Sequence, residues 1–299
     1  MEWYGGIEAG GTKFNCIIAQ DPDHIITETT IKTQTPEITI PEVIQFFKKS
    51  EIKNDICISA MGIACFGPVN LDKNDPQFGS ITSTPKVQWQ NTPLLSLLKP
   101  YFDIPFEFDT DVNGAAIGEG KWGAGKGLSD FLYVTIGTGI GGGIISNGLP
   151  IHGLIHPEVG HILMNHDLEK DPFEGVCPFH SNCLEGLASG PSMTKRWGVS
   201  TLDLAEDHRA WDLEAEYIGQ AVHDWVLAYS PMRIILGGGV MKKPGLIEKI
   251  RKVARISLNG YVDSNLIKEE NNSYITLPKL GDRAGSLGAI ALASLAASS

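Results

Sequence analysis

Trp3-Tyr4-Gly5-Gly6-Ile7-Glu8-Ala9-Gly10-Gly11-Thr12-Lys13-Phe14-Asn15-Cys16-Ile17-Ile18-Ala19 places two apolar runs on either side of a glycine turn. Trp3 to Glu8 and Phe14 to Ala19 have the content of strands, and Gly10-Gly11 punctuates them as a hairpin. Ile25 to Thr33 predicts a third strand. The pattern restarts in the second half, where Asp130 to Gly137 and Gly141 to Ser146 predict strands joined across Thr138-Gly139-Ile140. Further strands are expected at Ile56–Cys65, Pro105–Thr110, Arg233–Leu236 and Tyr274–Leu280. Helices are expected at Pro41–Ser50, Val112–Trp122, Glu214–Tyr229, Gly245–Leu258 and Ala284–Ala297. Strands alternating with helices imply an α/β class with largely parallel pairing. Two similar openings imply two related lobes with a cleft between them, and a boundary near Asp111–Gly114.

Three glycine turns follow strands: Glu8 to Lys13, Gly137 to Gly143, and Gly237-Gly238-Gly239. Without a Cβ, backbone N–H groups can approach an anion closely. Thr12 and Thr138 add hydroxyl donors, and Lys13 adds a positive charge. None is a Walker A loop, and the second joins two strands where a dinucleotide-binding turn would open a helix. Each alone also reads as a plain hairpin. Together they point to a phosphate cradle.

The segment Glu158 to Glu185 carries a second kind of chemistry. His161, Cys177, His180 and Cys183 have the order and spacing of a closed tetrahedral zinc site, with the first ligand sixteen residues before the second. Four protein ligands leave no position for a catalytic water, so the metal would shape the segment. His152, His156 and His166 lie nearby in sequence and could replace a ligand, with His166 the best substitute for His161. Glu158 and Glu185 flank the cluster, either orienting its ligands or accepting hydrogen bonds from a polyol.

Asp111 follows the apolar strand that contains Phe106 and Phe108, just before a helix start. It is a candidate general base for a hydroxyl attacking a phosphoryl group. It could equally be that helix's N-cap, and so could Asp109.

The 299 residues, 42% of them hydrophobic, are enough for two compact lobes with substantial cores. A net charge of −11 argues against nucleic acid or an anionic membrane as partner. No apolar run approaches the roughly 20 residues needed to span a bilayer. Met1-Glu2 is followed at once by a strand, so no signal peptide is expected. Five cysteines, three of them in apolar runs, fit a reducing cytoplasmic setting.

These residues resemble the ROK family (repressors, open reading frames and kinases), and within it the bacterial fructokinases. The resemblance rests on Gly6–Lys13, Gly137–Gly143, Glu158–His161, Cys183–Gly186 and Gly237–Val240. It implies a two-lobed actin/hexokinase-like (ribonuclease H-like) fold with an ATP cleft between the lobes. Residues 1–113 with 284–299 would form a small lobe, and 114–283 a large one carrying the zinc segment. It implies Asp111 as catalytic base, with Gly67, Glu158, His161 and Glu185 on the sugar. Gly10, Gly11, Thr12, Lys13, Gly137, Thr138 and Gly139 would meet the phosphates of ATP, and Pro191, Gly238 and Gly239 would lie near the nucleoside. Mg²⁺, structural Zn²⁺ and a homodimer are implied as well. The expected activity is ATP-dependent phosphorylation of D-fructose at O6. Glucose, mannose and N-acetylhexosamine are the alternative substrates, and a sugar-responsive protein without catalysis is the alternative class. Three residues depart from the family pattern: Glu8 replaces Asp, Thr110 replaces Asn, and His180 replaces a third Cys.

Overall fold

The opening apolar run forms β1 (Trp3–Ala9), and the chain returns antiparallel as β2 (Lys13–Asp21) and again as β3 (His24–Lys32). Helix α1 (Pro36–Asn54) begins at Pro36, five residues before the expected Pro41, which lies inside the helix. A proline at the first helical position loses no hydrogen bond, so Pro36 makes the better start. Strand β4 (Ile58–Cys65), short helix α2 (Leu94–Leu98) and strand β5 (Phe106–Thr110) follow. The first sheet has the order β3-β2-β1-β4-β5. Its β1–β4 and β4–β5 pairs are parallel, and its two hairpin pairs are antiparallel. The sheet is therefore mixed where mostly parallel pairing is expected, because short hairpins can join only antiparallel strands.

The structure is a computed structural model and describes residues 2–268 and 273–298. After α3 (Asp111–Trp122) the second sheet is built from β6 (Phe131–Ile136), β7 (Ile140–Ser146) and β8 (Leu149–Pro150). Helices α4 (Leu184–Ala188), α5 (Gly190–Trp197) and α6 (Ala210–Tyr229) lead to β9 (Ile234–Gly237). Then come α7 (Leu246–Leu258), α8 (Asn265–Lys268), β10 (Ile275–Thr276) and α9 (Ala284–Ala296). The sheet order is β10-β9-β6-β7-β8, with β9 parallel to both β6 and β10. The strand expected over Tyr274–Leu280 is only two residues long. Pro278 lacks the N–H needed to extend the ladder.

The chain divides into two compact units, one of residues 1–127, 143–157 and 279–299, the other of 128–142 and 158–278. The division falls later than the expected boundary at 113/114, and α3 stays with the first unit. The reason is packing: a Cβ at Gly288 of α9 would stand 2.2 Å from the Gly114 carbonyl oxygen of α3.

In the first unit, one cluster joins Phe14, Phe47, Trp89, Phe102 and Phe108 with Ile7 and Ile63. A second set of contacts covers the strands with α9, whose Ala- and Gly-rich sequence permits close approach. Gly62 in β4 is the tightest point, since a Cβ there would stand 2.0 Å from the Ala289 oxygen. In the second unit, α6 buries Ile218, Val222 and Trp225, and α7 buries Ile250, Ala254 and Leu258. No helix among the described residues is long and apolar enough to cross a membrane.

Candidate active site and metal centre

Asp109, Thr110 and Asp111 sit where β5 passes into α3. The N-cap is Thr110, whose Oγ1 accepts from the Asn113 N–H at 3.1 Å, so neither aspartate fills the capping role considered for them. A hydroxyl suits the position because it meets an orphan helix N–H without a charge. Asp109 is buried and committed: its Oδ1 accepts from the Thr110 N–H and Asn113 Nδ2, each at 2.7 Å. His152 Nε2 lies 3.0 Å from its Oδ2. That contact raises the His152 pKa. Asp111 is half-buried at the first helical position, with its Oδ1 accepting from the Val112 N–H at 2.9 Å. Burial and then the Asp111 charge hold the Cys65 thiol high, which places Asp111 near the end of β4. Gly67 lies just beyond that end, and a Cβ there would stand 3.3 Å from His156 Nε2.

The first glycine turn belongs to the same unit. The Gly10 N–H donates to the Lys13 carbonyl at 3.0 Å, closing the hairpin, and Thr33 Oγ1 donates to the Gly10 carbonyl at 2.8 Å. Glu8 is half-buried and accepts from Asn15 Nδ2 at 2.8 Å. Burial raises its pKa, opposed by Asn15 and Lys13.

The second unit holds the other predicted residues. Between β6 and β7 the Gly137 N–H donates to the Gly139 carbonyl at 2.9 Å, and the Gly190 N–H donates to the Gly137 carbonyl at 2.8 Å. The latter bond ties the turn to the start of α5, where Ser189 is the N-cap and Pro191 follows. Gly238 has φ +90°, and a Cβ there would stand 2.3 Å from the Ile136 oxygen, so only glycine fits. Gly239 lies beside it in sequence, at the end of β9.

The Cys/His segment brings its four candidate ligands together. Ligand atoms of His161, Cys177, His180 and Cys183 all lie within 4.8 Å of one another. His161 Nδ1 stands 3.8 Å from Cys177 Sγ and 3.5 Å from Cys183 Sγ, and His180 Nδ1 stands 3.7 Å from Cys177 Sγ. Zn–S bonds of about 2.3 Å and Zn–N bonds of about 2.0 Å at tetrahedral angles put adjacent S and N about 3.5 Å apart. The donor set and its spacing therefore fit a tetrahedral N₂S₂ ion. Cys183 also caps α4, its Sγ accepting from the Gly186 N–H at 3.4 Å. His166, the alternative ligand, is instead buried with its Nε2 2.9 Å from the Asp171 carbonyl oxygen.

The His161 ring faces two ways. Its Nδ1 looks to the cysteines, while its Nε2 stands 3.9 Å from Glu185 Oε1. Glu185 Oε2 accepts from the Ile140 N–H at 2.8 Å, which joins the metal segment to the second glycine turn. Sequence reasoning missed that bond, since the partner is a backbone N–H. Burial, and then the neighbouring Glu185 charge, pushes Glu158 up to about 7. The two acids therefore do stand close together in this unit.

The ROK family model matches residues 4–296. The chain is 43% identical over 289–293 residues to relatives that include the fructokinase of Zymomonas mobilis, covering 97% of this chain and 96% of that one. It is 45% identical over 276 residues to the fructokinase of Lactococcus lactis subsp. cremoris, covering 92% and 91% of the two chains. The ROK glucokinase of Streptomyces griseus, solved with glucose and AMPPNP, has the same fold: TM-score 0.74 at 24% identity, over 99% of this chain and 100% of that one. A family match over almost the whole length makes this chain a member of the ROK family.

Proposed function

We propose that this chain is an ATP-dependent fructokinase that converts D-fructose to fructose 6-phosphate. Full-length kinship with fructokinases at 43–45% identity supports the substrate. The observation that carries the chemistry is the division of labour at the start of α3. Thr110 caps the helix and Asp109 is buried in its own contacts, which supports Asp111 as the carboxylate that takes the proton. In the reaction the fructose O6–H proton passes to Asp111, O6 bonds to the γ-phosphorus, and the bond from that phosphorus to the β–γ bridging oxygen breaks, releasing ADP.

Glu158, Glu185 and His161 take sugar hydroxyls, with Gly67 a further sugar contact. The turns at Gly10–Lys13 and Gly137–Gly139 take the phosphates, and Pro191, Gly238 and Gly239 the nucleoside. His161, Cys177, His180 and Cys183 hold a structural Zn²⁺, which supplies a fixed backbone and imidazole orientation rather than a reactive water. Mg²⁺ bound with the nucleotide would supply charge neutralisation at its phosphates. The AMPPNP held by the Streptomyces griseus glucokinase supports ATP as donor. A homodimer is the assembly proposed, and light scattering would decide it.

A coupled assay of ADP release with fructose, glucose, mannose and N-acetylglucosamine tests the substrate. Fructose is expected to give a kcat/KM at least tenfold above each of the others. Faster turnover of another hexose would replace fructose in this reading.

A further inference from the structure

The fold brings the segment Thr82–Trp89, which carries no recognisable motif, against the first glycine turn. It is fixed at both ends. Thr82 donates from both its N–H and its Oγ1 to the Pro68 carbonyl, at 2.8 and 3.0 Å. Trp89, 1% exposed, packs against Phe14 and Phe66 at ring-centroid distances of 5.2 and 6.0 Å. Its indole N–H donates to the Gln34 carbonyl at 2.7 Å. Phe14 is the second residue of β2, directly after the turn, so the tryptophan roots the segment in the strand that carries the turn.

Lys86 stands between these anchors. Its backbone is held too: its N–H donates to Thr84 Oγ1 at 3.3 Å and its carbonyl accepts from the Trp89 N–H at 2.7 Å. The side chain reaches back over the turn, and a Cβ placed on Gly11 would meet Lys86 Cε at 3.2 Å. The ammonium is one bond beyond. Lys86 is exposed and forms no ion pair with any of the described residues. In a chain of net charge −11, an unpaired cation held over a turn built to receive phosphate is unusual.

We propose that Lys86 is a catalytic residue that binds the phosphoryl group in transit, contacting the γ-phosphate of ATP. The inference rests on the reading of Gly10–Lys13 as a phosphate turn. Charge on the γ-phosphoryl oxygens is spread during transfer, and a cation already in place meets it without reorganisation. The held backbone at Lys86 keeps its ammonium within reach of the turn. A Cβ at Gly11 would crowd the lysine stem at 3.2 Å, so glycine leaves it room over the turn.

The test compares wild type with Lys86→Ala and Lys86→Arg. Calorimetry reads AMPPNP and ADP binding, and steady-state assays use the preferred hexose. Lys86→Ala is expected to keep the melting temperature and to lower kcat about 10²-fold, the scale of losing one preorganised donor. Its AMPPNP affinity should fall at least tenfold and its ADP affinity less than twofold, with Arg restoring part of both losses. A kcat within twofold of wild type, or equal weakening of AMPPNP and ADP, would overturn the assignment. Wild type that binds AMPPNP but turns over another hexose would sink the fructose reading alone, leaving Lys86 decided by the nucleotide arm.

Discussion

Asp111 and Asp109 are two residues apart and chemically alike, yet their surroundings assign them different work. Asp109 anchors Asn113, His152 and the Thr110 N–H, while Asp111 stays half-buried at the head of α3. Asp111→Asn is expected to lower kcat about 10³-fold with fructose binding retained, as loss of a general base requires. Rapid-quench turnover with calorimetry checks both halves. His152 gives a pH prediction. Its contact with Asp109 raises its folded pKa above the unfolded value, so the contribution is complete below about 6.5 and is lost as pH rises through the folded value. Wild type should thus lose melting temperature from pH 6 to pH 8 relative to His152→Gln; parallel curves would contradict it. The cluster of His161, Cys177, His180 and Cys183 was legible because thiols and imidazoles at such spacing have few other uses. The Thr110 cap was not, since the choice among three polar neighbours depends on backbone angles that composition does not encode.

Helix α9 shows what an element contributes that its sequence hardly announces. Its small residues predict a helix, but nothing in them says it lies on β4 and α3. Gly62→Ala places a Cβ against the Ala289 carbonyl oxygen of α9. It should cost about 1–3 kcal/mol or more, read by urea denaturation. Glu119, at the end of α3, makes another such link. Its Oε2 accepts from the Ala124 N–H at 2.5 Å and its Oε1 from the Leu280 N–H at 2.8 Å, tying the approach to α9. Glu119→Gln turns an amide N–H₂ toward one of these donors and should cost about 1–3 kcal/mol, while unchanged stability would contradict the assignment. The hairpins of the first sheet were legible from Gly10-Gly11, whereas the brevity of β10 followed from a single proline.

Over the whole molecule, the division at 127/128 rather than 113/114 has the same origin: long-range packing of α3 on α9, which local pattern does not carry. The repeated strand–turn–strand opening was legible because glycine punctuation is local. At this scale the proposal is that an ion held by His161, Cys177, His180 and Cys183 shapes Glu158 and Glu185 for sugar, while the nucleotide depends on the glycine turns. The direct measurement strips the metal with a chelator and titrates fructose and AMPPNP separately into the folded protein. Fructose affinity should fall at least tenfold with AMPPNP affinity within threefold, and both should return on adding Zn²⁺; equal loss of the two ligands, or no loss of either, would contradict the claim.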